Sequence, residues 1–304
     1  MTEAIEAADT AKATPTATAA GATRARRWPA LPPSVAVSLF WIGIMLVVSV
    51  LAGVLAPYDY AAIDLRNRLA PPVPLPGSSL AHLLGTDELG RDILSRLIFS
   101  IRLSILVALL GTVIGATIGT IAGFVAAHFR GWVDELIMIA VDFQAAIPYL
   151  VLALAVLAFF GNSLVLFIAL VGIYGWEQYA RLARGLTMAS QEQGYAVALR
   201  VLGASTPRIY VHHILPNIMS ALIVNMTLNF PQTVLLETSL SFLGLGIQPP
   251  LTSLGNMVGF GRDHLISAWW IAAVPAFVIF ATTLAFSVVG DWLRDYFDPT
   301  LAKT

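Results

Sequence analysis

Long stretches without a charged side chain constrain this chain more than any other feature. Residues 28–58 and 103–127 contain no Asp, Glu, Lys or Arg, and about 20 apolar residues suffice for a helix to cross the hydrocarbon core of a bilayer. Only 12% of the 304 residues are charged, against about 25% in an average soluble domain. The chain has too few charges to cover a soluble surface, so we predict an all-α integral membrane protein and exclude an ordinary cytosolic enzyme.

The few reactive or charged side chains exclude several classes of function. A net charge of −1 provides no basic field for nucleic acid, and the absence of cysteine removes thiolate metal sites and Cys nucleophiles. The five histidines show no metal-binding spacing, and we expect no metal site. The two lysines, Lys12 and Lys303, lie in the terminal tails. Because a P-loop needs a Lys after its glycines, we expect no ATP hydrolysis by this chain and no enzymatic activity.

Hydropathy predicts about six transmembrane helices. The apolar segments cover residues 35–55, 103–127, 136–160, 164–179, 214–236 and 265–289. A cleaved signal peptide is the alternative for the first segment, but its apolar region would normally be only about 7–15 residues long. Residues 239–262 are rich in Gly and Pro and indicate a loop or a re-entrant segment.

The segments divide the chain into four parts. We expect a disordered cytoplasmic tail over 1–33, a first helix with an extracytoplasmic insert over 34–100, a transmembrane core over 101–292, and a cytoplasmic tail over 293–304. Six spans put both termini on one side. Of the 17 Lys and Arg residues, eleven fall on the side of the termini and six on the other, which favours cytoplasmic termini by the positive-inside rule.

Two helix patterns lie around the second span. Thr86 followed by Asp87 and Glu88 indicates a helix start, and the apolar residues between Ile93 and Ile101 form one stripe that is typical of an interfacial helix. Further along, glycines recur every four residues, so they share one helix face and predict close packing against a neighbouring helix. These glycines are Gly111, Gly115, Gly119 and Gly123.

Two carboxylates are expected in or beside the hydrocarbon. Asp142 could pair with another side chain or serve a proton or substrate, and Glu237 lies near a span end, where interfacial exposure is the alternative. They support a second hypothesis, a proton-coupled secondary carrier. A third hypothesis is a structural membrane protein that carries no solute. The polar residues on spans that could line a translocation path, or only make structural hydrogen bonds, are Asp142, Gln144, Tyr149, Asn225 and Asn229.

Residues 194–217 predict a helix, a glycine turn and a second short helix that project from the membrane. Gly203 tolerates positive φ, Ser205 or Thr206 can cap the next helix, and Pro207 suits its first turn. Apolar Ala198, Val201 and Leu202 would be exposed to water, so a partner protein is expected to cover them. The alternative is an amphipathic loop that lies on the membrane.

This segment resembles the cytoplasmic loop of the membrane subunits of ABC importers. That loop has a Glu-Ala-Ala run, a Gly six residues after the Glu, and a downstream Ile-Leu-Pro. Gly203 and Ile214-Leu215-Pro216 fit, whereas Val197-Ala198-Leu199 replaces Glu-Ala-Ala and keeps only Ala198. The resemblance implies an ATPase-coupling loop over 187–216, with candidate residues Tyr195, Ala198, Arg200, Leu202, Gly203, Ala204, Ser205, Pro207, Ile214 and Pro216.

A second set of residues resembles the C-type permease subunit of dipeptide, oligopeptide and nickel importers, and is most similar to the dipeptide type. The matching signature in the insert is Gly85, Thr86, Asp87, Gly90, Arg91, Asp92, Ser95 and Arg96. The Leu243-Gly244-Leu245-Gly246 and Gln248-Pro249-Pro250 sequences fit the same family.

The resemblance implies a type I ABC importer fold in the bacterial cytoplasmic membrane. Expected partners are a homologous second permease subunit, two ATPase subunits that bind ATP and Mg²⁺, and an extracytoplasmic solute-binding protein. No cofactor is expected in this chain. Peptides are the expected cargo, and similar permeases carry nickel chelates, glutathione or opine-like solutes.

Overall fold

The structure is a computed structural model that describes residues 31–297. The amino-terminal tail, apart from its last residues, and residues 298–304 of the carboxyl-terminal tail lie outside the described residues. Within the described range, twelve α-helices account for most of the regular structure, with short 3₁₀ segments at Leu65–Asn67 and Arg262–His264 and a π-helical segment at Tyr210–Ile214. The helices are α1 Pro33–Val50, α2 Ala52–Leu55, α3 Ile93–Phe129, α4 Gly131–Ala146, α5 Tyr149–Phe160, α6 Leu164–Ile173, α7 Trp176–Gln191, α8 Gly194–Val201, α9 Thr206–Ile209, α10 Leu215–Phe242, α11 Leu254–Gly261 and α12 Trp270–Phe297.

Four helical segments of the described chain are long and apolar enough to cross a membrane. They are α1, α3, the segment Thr206–Phe242 and α12. Helices α4 and α5 form a fifth candidate, bent by 87° where Pro148 interrupts the helix. The fourth segment predicted from hydropathy is divided, because Gly175 has φ of 79° and separates α6 from α7. Helix α6 has 10 residues and is about 15 Å long, too short to span about 30 Å of hydrocarbon.

Helix α3 corrects two predictions about the insert. The helix begins at Ile93, not at Thr86, and Asp92 is its N-cap. A separate interfacial helix is also wrong, because residues 93–101 are the first turns of the 37-residue α3. Ile93, Leu97 and Ile101 are buried in a cluster with residues of α11 and α12. The polar side of these turns does not face water, since the insert covers it.

The glycine face of α3 packs as predicted. A Cβ atom on Gly115 would lie 2.9 Å from the carbonyl oxygen of Tyr174, and one on Gly123 would lie 2.6 Å from that of Ala180. These distances are shorter than any ordinary contact, so the absence of a side chain lets α3 approach α6 and α7. The close approach places α7, which leads into the projecting segment, directly against the longest helix.

The segment between α10 and α12 is folded back into the helical core. Its short helix α11 buries Leu254 and Met257 among residues of α3 and α12. The loop before it is fixed by two hydrogen bonds to α3, from the Leu254 amide to Ser104 Oγ (3.1 Å) and between Ser100 Oγ and Thr252 Oγ1 (2.8 Å). We call residues 243–261 the re-entrant segment, because they fold back into the helical core. Its depth in the membrane stays a prediction.

Candidate functional site

The segment after α7 folds into a helix, a turn and a second helix. Helix α8 is followed by Gly203 with φ of 77°, and α9 has Pro207 in its first turn. Ser205 takes the N-cap position, and its carbonyl oxygen accepts from the Ile209 amide at 3.1 Å. The Ser205 hydroxyl makes no capping hydrogen bond to any described residue. The positive φ predicted for Gly203 is therefore confirmed, whereas capping by the Ser205 side chain is not observed.

The tip of this segment is held by its backbone and exposes apolar side chains. We call residues 194–214 the elbow. The Leu202 amide donates to the Ala198 carbonyl oxygen at 3.0 Å, which fixes the last turn of α8. Val201 and Leu202 are each 82% exposed. Because the turn is fixed, these two apolar side chains are removed from water only when another surface covers them.

The base of the elbow is buried against three long helices. Ile209 and Ile214 are buried together with Tyr179 of α7 and Ile218 of α10. The Tyr210 ring packs edge-on against Phe124 of α3, with 5.3 Å between ring centroids. The elbow is therefore joined to α3, α7 and α10, and a displacement of its tip must be transmitted to these helices or bend the segment between them.

The remaining predicted coupling residues occupy different surroundings. The Tyr195 hydroxyl accepts from Asn217 Nδ2 at 3.4 Å, which links α8 to the start of α10. Ala198 and Pro216 are exposed, and Ala204 is half-buried. Arg200 lies on α8. The structure brings all of these residues into the elbow or the first turns that follow it.

Two ion pairs join α7 to α4. Arg184 donates from Nε and Nη2 to the two carboxylate oxygens of Asp134, at 2.5 Å each. These hydrogen bonds raise the pKa of the Arg184 guanidinium. Arg181 Nη2 donates to Asp142 Oδ1 at 2.7 Å, and both side chains of this pair are largely exposed. Asp142 is therefore paired, which is one of the two roles that its sequence position left open.

The signature in the insert forms a buried network of hydrogen bonds around Asp87. The Asp87 carboxylate is fully buried and accepts from Arg91 Nε at 2.7 Å and from Arg96. It also accepts from the backbone amides of Leu89 and Arg91, both at 2.9 Å. Two guanidinium groups and two amides thus satisfy one buried carboxylate, as a charge at that depth requires.

The other signature residues fasten the insert to α3 and α12. Asp92 accepts from the Ser95 amide at 2.8 Å and pairs with His82 Nδ1 at 3.0 Å. Trp270 Nε1, at the start of α12, donates to the Thr86 carbonyl oxygen at 3.2 Å. The signature residues therefore hold the insert against α3 and α12, and we call this group of residues the clamp.

Gly85 and Gly90 allow the close contacts of this clamp. A Cβ on Gly85 would lie 2.5 Å from the Ala70 carbonyl oxygen, and one on Gly90 would overlap the carbonyl group of Asp64. Asp64 lies on the outer face of the clamp. Hydrogen bonds from the Asn67 side chain and the Arg66 amide hold the pKa of its carboxyl below the ordinary value.

Of the five proposed path residues, Asp142 pairs with Arg181, and the other four lie at the α4–α5 bend and on α10. Gln144 Nε2 donates to the Ile173 carbonyl oxygen at 3.3 Å, and the Tyr149 hydroxyl donates to the Leu170 carbonyl oxygen at 2.6 Å. Both hydrogen bonds hold the α4–α5 bend against α6. Asn225 and Asn229 lie one turn apart on α10, and Asn229 is 6% exposed. A role of these residues along the path stays a prediction.

Glu237 is buried, contrary to the interfacial exposure considered from the sequence. Its side chain is fully buried, and Ser241 Oγ donates to its Oε1 at 2.9 Å. Its depth follows from the re-entrant segment, which covers the end of α10 where the sequence pattern indicated a span boundary. Glu237 and Ser241 are one turn apart on α10, so their pairing is local and the burial of Glu237 is the part that depends on a distant segment. In the clamp, the contact between Trp270 and Thr86 likewise joins distant parts of the chain.

The described residues form an all-helical protein with four or five candidate spans, the architecture expected for the membrane subunit of a transporter. The chain belongs to the family of binding-protein-dependent transport system inner membrane components, whose model matches residues 115–303. A model of the N-terminal TM domain of oligopeptide transport permease C matches residues 33–72. It is a multi-pass inner-membrane protein with the type I ABC importer fold, as the resemblance implied.

Among similar proteins is the dipeptide transport system permease protein of Escherichia coli K12. It is 40% identical over 88% of this chain and 89% of its own length. The di/tripeptide permease protein of Pseudomonas aeruginosa UCBPP-PA14 is 38% identical over 81% of each chain. The glutathione permease protein of Pectobacterium atrosepticum is 36% identical over 88% of this chain and 87% of its own length. These relatives are transport permease subunits and not enzymes.

Proposed function

We propose that this chain forms half of the translocation path of an ATP-driven importer for di- and oligopeptides. A homologous permease subunit supplies the other half, two ATPase subunits bind ATP and Mg²⁺, and an extracytoplasmic binding protein delivers the peptide. Relatives named for dipeptide and di/tripeptide transport, 38–40% identical over most of the chain, support this cargo.

The proposal that a separate ATPase subunit drives transport rests on the elbow. Its tip exposes Val201 and Leu202, and its base is packed on α3, α7 and α10. An ATPase subunit that covers the tip removes this apolar surface from water, which favours the contact. The two lysines of the chain lie in its tails and follow no P-loop glycines, which is consistent with ATP hydrolysis on a partner.

The proposed mechanism is a shift between two states of the complex. ATP binding closes the ATPase subunits, and the docked elbows move with them. Because the elbow base is packed on three long helices, this movement opens the path to the extracytoplasmic side, and hydrolysis returns it to the inward-open state. ATP drives the change only by its different affinity for the two states. In this scheme both termini and the elbow are cytoplasmic and the insert is extracytoplasmic.

Transport by the reconstituted complex tests the proposal. Proteoliposomes that contain this chain, its permease partner, the ATPase subunits and the binding protein are expected to accumulate a labelled dipeptide only with ATP. The matched control contains the same subunits without ATP but with an imposed proton gradient, and no accumulation is expected. Accumulation by this chain alone with a proton gradient would instead identify a secondary carrier.

Glutathione is the second candidate cargo. Relatives named glutathione permeases are 36–38% identical over 85–88% of this chain. These identities are close to those of the dipeptide relatives, so sequence identity alone does not choose between the two cargoes. Competition of unlabelled glutathione against the labelled dipeptide distinguishes them. We expect dipeptides to compete and glutathione to be weaker.

A further inference from the structure

A cavity of about 580 Å³, lined by both polar and apolar side chains, lies on the insert side of the chain, between the end of α10, the loop after it and α11. Its volume is within the range of about 300–1,000 Å³ that holds small ligands. Both signs of charge face it. The polar residues that line it include Glu88, Gln248, Asn256, Arg262, Asp263 and His264.

Glu88 gives the cavity an incompletely paired carboxylate. Its Oε1 accepts from Arg91 Nη2 at 3.3 Å. Its Oε2 atom is buried and has no hydrogen-bond partner among the described residues. A buried carboxylate oxygen is normally satisfied by a donor. The Glu88 side chain is 23% exposed and lines the cavity, so an ammonium group can approach the carboxylate there and supply three donors together with the opposite charge.

Arg262 gives the cavity an available cation. Its Nε lies 3.4 Å from Asp263 Oδ1, but the two side chains are 57% and 76% exposed. A pair this exposed contributes little in water. The guanidinium carbon lies 5.9 Å from the centre of the Phe242 ring, which limits the directions that the group can take. Its remaining N–H groups can bind a carboxylate in the two-pronged geometry that Arg favours.

The wall between these charges is fixed by hydrogen bonds. Gln248 Nε2 donates to the carbonyl oxygens of Gly244 and Gly246 at 3.0 and 3.1 Å. Asn256 is 6% exposed, and its Nδ2 donates to the Ile247 carbonyl oxygen. Each amide nitrogen is thus engaged, so each side chain retains its oxygen as an acceptor for a ligand N–H.

We propose that this cavity binds the zwitterionic backbone of a short peptide with free ends. Arg262 holds the terminal carboxylate, Glu88 the terminal ammonium, and the amide oxygens of Gln248 and Asn256 accept from N–H groups of the peptide. The inference rests on the proposed function and deepens it, because it assigns a peptide site to this subunit itself. A concave site with opposite charges selects free ends over capped ends whatever the peptide side chains are.

Site-specific thiol labelling tests the site in the assembled complex, because this chain has no natural cysteine. Leu243 lies at the rim and is 48% exposed, so Leu243→Cys reports occupancy by its rate of reaction with an uncharged maleimide, measured on this subunit's band. Dialanine without the binding protein is expected to slow the reaction, and N-acetyl-dialanine amide is not. Ala62→Cys, on the exposed part of the insert, is the matched control and reacts equally with and without dialanine.

Charge variants then assign the two ends. In the Leu243→Cys background, Arg262→Gln is expected to raise the dialanine concentration for half-protection by about tenfold or more, as loss of a charged hydrogen bond implies. C-terminally amidated dialanine should be insensitive to this change. Glu88→Gln should likewise raise the concentration of free dialanine for half-protection, and it should not change the value for N-acetylated dialanine.

Three results would overturn the inference: no protection by dialanine at a reactive Leu243→Cys, equal protection by the doubly capped peptide, or protection only when the unliganded binding protein is added. The last result would make the cavity a protein-docking surface. Uptake by the wild-type complex is measured separately, so a complex that imports dipeptides without protection refutes this site and leaves the proposed function standing.

Discussion

The amide of Ala204 donates a hydrogen bond to the carbonyl oxygen of Leu199 at 3.0 Å. This bond closes the turn of the elbow back onto the last turn of α8. Of the four residues between them, the last, Gly203, takes the left-handed conformation that this bond requires, with φ of 77°. The direction in which Val201 and Leu202 project therefore depends on one backbone angle.

Replacement of Gly203 tests the backbone conformation of the turn, independently of the space available to a side chain. No described atom lies within 4 Å of a Cβ at this position, so a new side chain meets no steric barrier there. Gly203→Val is nevertheless expected to lower uptake on the order of tenfold or more, because positive φ costs a non-glycine residue about 1–2 kcal/mol and a β-branched residue more. ATPase activity should persist and become uncoupled from uptake.

Gly203→Asn is the matched control, because Asn tolerates positive φ. It should retain most of the uptake at equal expression. Loss of uptake with Asn and not with Val would contradict a conformational role of the turn.

Close packing of α3 on α7 predicts a large effect of one methyl group. A Cβ on Gly119 would lie 2.6 Å from the Tyr179 Cβ. Gly119→Ala should therefore destabilise the complex by about 1–3 kcal/mol, the usual cost of overpacking, seen as a lower thermal unfolding midpoint. Gly43→Ala on α1 is the control, since no described atom lies within 4 Å of its Cβ. Equal midpoints for both variants would argue against this helix contact.

The clamp in the insert predicts a severe effect at Asp87. Asp87→Ala leaves the guanidinium of Arg96, whose side chain is 5% exposed, without its carboxylate. Breaking a buried pair in this way costs about 3–5 kcal/mol, so the subunit should fail to assemble or unfold at a much lower temperature. Asp59→Asn, an exposed carboxylate of the same insert, should change the midpoint little. A stable, active Asp87→Ala complex would show that the network is dispensable.

Neutralising Glu237 distinguishes an ATP-driven permease from a proton carrier. Glu237→Gln keeps an oxygen that accepts from Ser241, so the buried contact survives and ATP-driven uptake should stay near the wild-type level. A carrier that used this carboxylate for protons would lose transport with the same change. Uptake with ATP and with a proton gradient is measured in parallel on the reconstituted complex. Loss of ATP-driven uptake at normal assembly would count against the account.

The features that could be predicted from the sequence are those set by local geometry. Glycines four residues apart share a helix face wherever the helix lies, and the turn at Gly203 follows from the residues beside it. The same is true of Pro207 in the first turn of α9.

Other features depend on contacts between distant parts of the chain. Thr86 resembles a helix cap, but its carbonyl oxygen accepts from Trp270. Glu237 resembles an interfacial residue, but the re-entrant segment covers it. Hydropathy predicts about six spans, whereas the described residues contain four or five candidates. Apolar residues continue through the break at Gly175 and the bend at Pro148, so neither interruption is visible in hydropathy.

Cross-linking from Leu202 tests the central claim most directly. Leu202→Cys introduces the sole thiol of this subunit at the elbow tip, and a short bifunctional thiol-to-amine reagent is applied to the assembled complex in membranes. We expect one major cross-linked product that contains this chain and an ATPase subunit, with a yield that changes when ATP is added. Free reaction of Leu202→Cys with a monofunctional maleimide in the assembled complex, without any cross-link to an ATPase subunit, would contradict it.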